Sequence, residues 1–248
     1  MSDPQGNPVE NLTEERHLAT LVHGRYLMER GARSGASPPL LVGFHGYGES
    51  ADRHLEALRG IPGIEEWMVI SVGALHRFYT KKGDVVASWM TRQSRELEIA
   101  DNVRYAASVI ETVRREEGAT GPLVMAGFSQ GVAMTWRAAL RSGFACHGVI
   151  ALAGDVPPEY HGDAGPMASV PRWPPVLLGR GVGDTWYTEA KMDEDLAVLQ
   201  GCGAEVESCV FEGGHEWTPD FHAAAGRFLD QVRARHGAAG SDQDPGPG

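Results

Sequence analysis

Leu123-Val124-Met125-Ala126-Gly127-Phe128-Ser129-Gln130-Gly131-Val132-Ala133-Met134 passes from a short apolar run through a Gly-x-Ser-x-Gly turn into a segment with helical composition. The order of these parts decides the reading. A serine hydroxyl is a poor nucleophile, so an enzyme exposes it on a turn sharp enough for a base to reach one side and a substrate the other. Small neighbours at Gly127 and Gly131 let strand and helix approach closely, and Ser129 between them is expected in a strained backbone geometry. The helix that starts just after Ser129 directs its N-terminal amides at a developing oxyanion. Without that context, Gly-x-Ser-x-Gly in a chain with 32 glycines would mark only a tight turn.

The same alternation extends outward along the chain. Leu40 to Phe44, Met68 to Val72, Gly148 to Ala153, Val176 to Leu178 and Glu205 to Phe211 are short and mostly apolar, and Leu18 to Met28 reads as an edge strand or hairpin. Several are apolar at every position, as strands covered on both faces of a parallel sheet should be. Between Arg95 and Glu117, Leu97, Ala100, Val103, Ala107, Ile110 and Val113 recur at helical spacing before Gly118. Val132 to Arg141, Thr188 to Gln200 and Asp220 to His236 read as further helices. Strand and helix in alternation predict an α/β fold, a mostly parallel central sheet with helices on both faces. No internal repeat and no internal linker divides residues 12–236, which are expected to form one domain between a flexible N-terminus (1–11) and a disordered tail (237–248).

Composition removes other classes. The formal net charge is −11 over 248 residues, so charge-driven binding to nucleic acid or to anionic lipid is not expected. No apolar run reaches the roughly 18 residues that span a bilayer. The first residues carry neither a basic flank nor an apolar core of a secretory signal. Cys146, Cys202 and Cys209 form no Cys-x-x-Cys pair and cannot all be paired within the chain. The expectation is a reduced, cytoplasmic protein without integral membrane association; a homodimer is compatible with it.

A serine nucleophile needs a base, and in the order Ser, Asp/Glu, His that base lies after the last strand. His215, in Glu212-Gly-Gly-His215-Glu-Trp, follows that strand directly; His222, inside the final helix, reads as structural. The acid is expected after the preceding strand, where Asp184 stands in a glycine-rich loop and would hold the His215 imidazole in the useful tautomer. Asp155 competes for this role, whereas Glu212 lies too near His215 in sequence. Acyl transfer also needs two oxyanion donors. The amide of Gln130 is one; for the other, the turn His45-Gly46-Tyr47-Gly48-Glu49-Ser50 offers the amide of Tyr47, with His45 and Gly46 shaping the substrate side of the turn. The alternative for His45 is a buried histidine that ends a strand.

Taken together, HGYGES, GFSQG, RGVGD and GGHEW, in this order, resemble the α/β-hydrolase superfamily and within it the phospholipase/carboxylesterase branch, which includes the acyl-protein thioesterases. The resemblance spans about Leu40 to Leu229. It places the family's serine, aspartate and histidine on Ser129, Asp184 and His215, and its oxyanion amides on Tyr47 and Gln130. Ala87-Ser88-Trp89-Met90 resembles the family's Ser-Trp element, which makes Trp89 a substrate-pocket residue; the alternative is an ordinary core tryptophan. Val132, Glu49 and Arg180 depart from the family's usual glycine, aspartate and histidine. Pro157 to Pro175 carries six prolines and Trp173, enough to form a partial cap.

The resemblance implies hydrolysis of a small or acyl-chain ester or thioester through an acyl-enzyme, with no metal and no organic cofactor. His215-Glu216 lacks the second histidine of a zinc motif, and no Gly-x-Gly-x-x-Gly follows the first strand. The rival readings are a lysophospholipase, a hydrolase of C–C or peptide bonds, and a binding protein on the same scaffold with an idle or slow triad.

Overall fold

A computed structural model describes residues 13–161 and 173–241. Its main sheet has seven strands in the order β1 (Arg25–Arg30), β3 (Met68–Gly73), β2 (Leu40–Phe44), β6 (Leu123–Phe128), β7 (Gly148–Leu152), β8 (Val176–Gly181) and β9 (Val206–Phe211). All neighbours run parallel except β1, which lies antiparallel to β3. Every residue of β2, β6, β7 and β8 is buried, so both faces of the central sheet are covered. This is the mostly parallel α/β architecture that the apolar runs predict.

The covering helices are α1 (Ala51–Arg59), α2 (Arg95–Glu117), α3 (Gln130–Arg141), α4 (Glu189–Gly201) and α5 (Pro219–Ser241). One of them was not foreseen. α1 starts at Ser50, whose side chain accepts from the Arg53 amide, and buries Ala51, His54, Leu55 and Leu58 at helical spacing. A two-stranded hairpin, β4 (His76–Tyr79) and β5 (Val85–Ser88), also forms between β3 and α2. β5 reaches the turn after β2, because Ala87 and Glu49 form an isolated bridge.

At the N-terminal edge the expected strand over Leu18 to Met28 is displaced. The observed strand begins at Arg25, and Leu18 and Leu21, which suggested the earlier start, are 93% and 90% exposed. Their apolar character has no face of the sheet to cover. The last helix runs to Ser241 instead of ending at His236. The expected flexible residues 1–11, most of the Pro157–Pro175 stretch and the end of the tail lie outside the described residues. Within that stretch, Trp173 is buried, its ring 5.6 Å from that of Trp136. Among the described residues, no helix is long and apolar enough to cross a membrane.

The strand order places β6 at the middle of the sheet, with Ser129 just beyond its carboxyl end. That is the end of an open parallel sheet at which ligands bind. Residues after β2, β7, β8 and β9 converge there as well.

Candidate active site

Ser129 has φ 53° and ψ −123°, a left-handed conformation that a side chain adopts only under constraint. The constraint is visible on both sides. The Ser129 amide donates to Leu152 O at 2.9 Å, and the Val132 amide donates back to Ser129 O at 3.0 Å. Strand and helix approach so closely that a Cβ on Gly131 would stand 2.0 Å from Phe44 O, and one on Gly127 would stand 2.2 Å from Thr135 Oγ1. The small residues of the turn are therefore steric requirements. Val132, where the family usually has glycine, is fully buried and packs without disturbing the turn.

His215 follows β9, and its Nδ1 lies 2.8 Å from Asp184 Oδ2. The Asp184 side chain is fully buried, and its other oxygen accepts from the Trp186 and Tyr187 amides at 2.8 and 2.9 Å. A carboxylate with three donors orders both its loop and the imidazole. In the neutral tautomer that donates from Nδ1 to this carboxylate, Nε2 is the acceptor. Asp155, the competing acid, instead pairs with Lys191 at 3.0 Å. Arg180 has a buried guanidinium that donates to Gly181 O at 3.1 Å and thereby holds the start of the Asp184 loop.

The turn after β2 is closed by Glu49, whose carboxylate accepts from the Gly46 amide at 2.9 Å and pairs with Arg53 at 3.2 Å. The longer side chain still performs a turn-closing task where the family has aspartate. Among the described residues, the Tyr47 amide has no internal acceptor. The Tyr47 ring is 64% exposed and rests near Phe78. The amide of Gln130, in the first turn of α3, has no acceptor within the helix.

His45 and Trp89, expected near the substrate, lie behind the turn. His45 is fully buried, donates from Nδ1 to Gly46 O at 2.7 Å and accepts from the Ala74 amide at Nε2. Burial pushes its pKa down, against the pull of the Gly46 carbonyl, so the ring stays neutral. Trp89 is fully buried and donates from Nε1 to His45 O at 2.7 Å. Both support the loop through hydrogen bonds, and neither lines the cavity that contains Ser129.

That cavity, of about 610 Å³, is bounded by Ser129, Gln130 and His215 and extends past α3 toward α4. The sequence reading missed several of its residues. Gln130 contributes its side chain as well as its amide: Oε1 accepts from the Trp89 amide at 3.0 Å and Nε2 donates to Met90 O at 3.1 Å. Trp186 stands 75% exposed at the cavity. Tyr187 and Asp195 form a buried pair in its wall, hydroxyl to carboxylate at 2.8 Å, and Asp195 also accepts from the Val156 amide. Arg137 could have been found by continuing the four-residue spacing from Ser129 through Ala133.

The sequence profile of the Phospholipase/Carboxylesterase family matches residues 32–233. The chain belongs to that family. It is thus an esterase/thioesterase-type α/β hydrolase, as the four motifs imply. The fold agrees with that of esterase PE8, which is 22% identical with a TM-score of 0.66, the match covering 85% of this chain and 100% of that one. Acyl-protein thioesterase 2 of Zea mays is 18% identical with a TM-score of 0.64, over 85% and 99% of the two chains. The carboxylesterase of Bacillus cereus is 17% identical with a TM-score of 0.64, over 84% and 94%. No curated protein sequence matches the chain.

Proposed function

We propose that the chain cleaves carboxylic esters or thioesters through a Ser129–His215–Asp184 triad and an acyl-enzyme intermediate. His215 Nε2 takes the proton from Ser129 Oγ as the oxygen attacks the substrate carbonyl. The tetrahedral oxyanion is met by the amides of Tyr47 and Gln130. Collapse breaks the bond to the alcohol or thiol, which leaves with the proton from His215. Water, deprotonated by the same histidine, then attacks the acyl-enzyme; the carboxylic acid departs and Ser129 regains its proton. Asp184 stabilises the imidazolium formed in each half.

The observation that carries this reading is the convergence of a strained Ser129 and an Asp184-bonded His215 on one cavity. Ester and thioester are both retained because the chain's structural neighbours include a carboxylesterase and an acyl-protein thioesterase. Turnover of p-nitrophenyl esters by the wild type and by Ser129→Ala tests it. Loss of the nucleophile should lower kcat by about 10⁴- to 10⁶-fold. Equal rates would remove Ser129 from the mechanism, and no turnover of any ester or thioester by the wild type would favour a binding role.

A further inference from the structure

We infer that the cavity beside Ser129 takes substrates bearing a carboxylate, and that Arg137 is the side chain that receives it. This rests on the reading of Ser129 as the nucleophile. Ser129, Ala133 and Arg137 all line the cavity; Ser129 directly precedes α3, and Ala133 and Arg137 follow at four-residue spacing along one face of the helix. Eight residues correspond to about 12 Å of helix, and a long side chain leans back toward the helix N-terminus. The guanidinium therefore stands closer to Ser129 than its Cα does, and Ala133 between them leaves the path open.

Arg137 is held for this purpose. Its side chain is 1% exposed, and Nε donates to Glu159 at 2.7 Å. Nη1 meets only the sulfur of Met90, at 3.5 Å, a weak acceptor. A guanidinium has five N–H donors, and among the described residues the others have no acceptor. Glu159 pairs with the Nε side of this buried cation, so the Nη groups are the part that remains for a ligand carboxylate. Arg95 lines the same cavity and adds a second positive charge near Glu159.

The acidic residues of the cavity are in a different position. Asp155 has Lys191, Asp195 has the Val156 amide and the Tyr187 hydroxyl, and Glu194, at the exposed rim, lies 3.7 Å from His161 Nδ1. No Leu, Ile or Phe is among the residues that line the cavity. The apolar lining comes from Met90, Val156, Pro157, Pro158 and Trp186, beside which a short chain ending in a carboxylate would find a bidentate partner in the guanidinium.

The test compares ethyl esters that differ only in terminal charge: monoethyl succinate, adipate and suberate against ethyl butanoate, hexanoate and octanoate. 4-Acetoxybutanoate against butyl acetate places the charge on the alcohol side instead. At least one charged ester should exceed its neutral counterpart in kcat/KM by about tenfold or more, with the preference shrinking in high salt. Arg137→Gln should abolish the preference while leaving the neutral ester within about threefold, and Arg137→Lys should retain part of it. In parallel, adipate is titrated into Ser129→Ala by calorimetry, with and without Arg137→Gln. Adipate binding that needs Arg137, in a wild type that hydrolyses no ester, would keep the carboxylate subsite and overturn the hydrolytic reading. Hydrolysis without charge preference, or equal loss of both ester classes in Arg137→Gln with no adipate binding, would overturn the subsite and leave the hydrolase.

Discussion

His215 Nδ1 and Asp184 Oδ2 stand 2.8 Å apart across two loops, 31 residues separated in sequence, with the aspartate side chain fully buried. The rest of Asp184 is occupied by two backbone amides, so its orientation toward His215 is imposed by its own loop. Asp155 lacks this relationship.

Asp184→Asn should therefore lower kcat by about 10⁴-fold with little change in KM, because an amide no longer selects the Nδ1–H tautomer. Asp155→Asn should cost less than about tenfold. Steady-state kinetics on a p-nitrophenyl ester decide this, and the reverse ranking would make Asp155 the acid.

Gln130 links the start of α3 to the Trp89–Met90 segment through both ends of its amide. Gln130→Met keeps the volume and leaves the Trp89 amide without its acceptor. The variant should lose about 1–3 kcal/mol of stability in urea denaturation. It should also lower kcat more than it raises KM, since the affected groups support the turn and not the substrate. A KM effect alone would place the Gln130 side chain on the substrate.

The Ser129 turn was legible in sequence because everything that shapes it is local: the apolar run of β6, two small residues and a helix start lie within twelve positions. Asp184 and His215 were legible because their loops follow consecutive strands. Trp89 was ambiguous, since an indole beside an active site and an indole behind it look alike until the Trp89 N–H is seen to bond His45 O. Helix α1 carried a readable pattern at Ala51, His54, Leu55 and Leu58, but it directly follows the glycine-rich turn and was overshadowed by it. Arg137 depends on Glu159, 22 residues on, and on a cavity that exists only once α3, α4 and the loop after β7 are assembled.

His54 is fully buried, with no hydrogen-bond partner at either ring nitrogen among the described residues. Burial, aided by nearby His45, pushes its pKa down to about 3. A depressed folded-state pKa means that its contribution to stability is complete above the unfolded value of about 6.5 and is lost as pH falls toward 3. The wild type should lose stability across that window, by about 1.4 kcal/mol per pH unit from this group at most. His54→Leu should flatten the fall, measured as Tm from pH 7 to pH 4. An unchanged acid profile would contradict the assignment.

Asp195 has the opposite sign. Burial raises its carboxyl pKa to about 6, against the hydrogen bonds from Tyr187 and the Val156 amide, and Asp155 adds to the rise. Stability from this group is present below the unfolded pKa and is lost as pH rises through about 6. Asp195→Asn, which keeps an oxygen for both donors, should gain on the wild type by up to about 3 kcal/mol between pH 4 and pH 8. Denaturant midpoints at the two pH values measure the difference; a variant equally destabilised at both would show that the charge is fully compensated in the fold.

Covalent trapping tests the central claim most directly. Exposure of the protein to a fluorophosphonate, followed by intact mass and peptide mapping, reports which side chain acts as the nucleophile. One equivalent should be added on Ser129, at a rate sharply reduced in His215→Ala, with no addition in Ser129→Ala. An adduct on another residue, or full esterase activity surviving in a protein that cannot be trapped, would contradict the account.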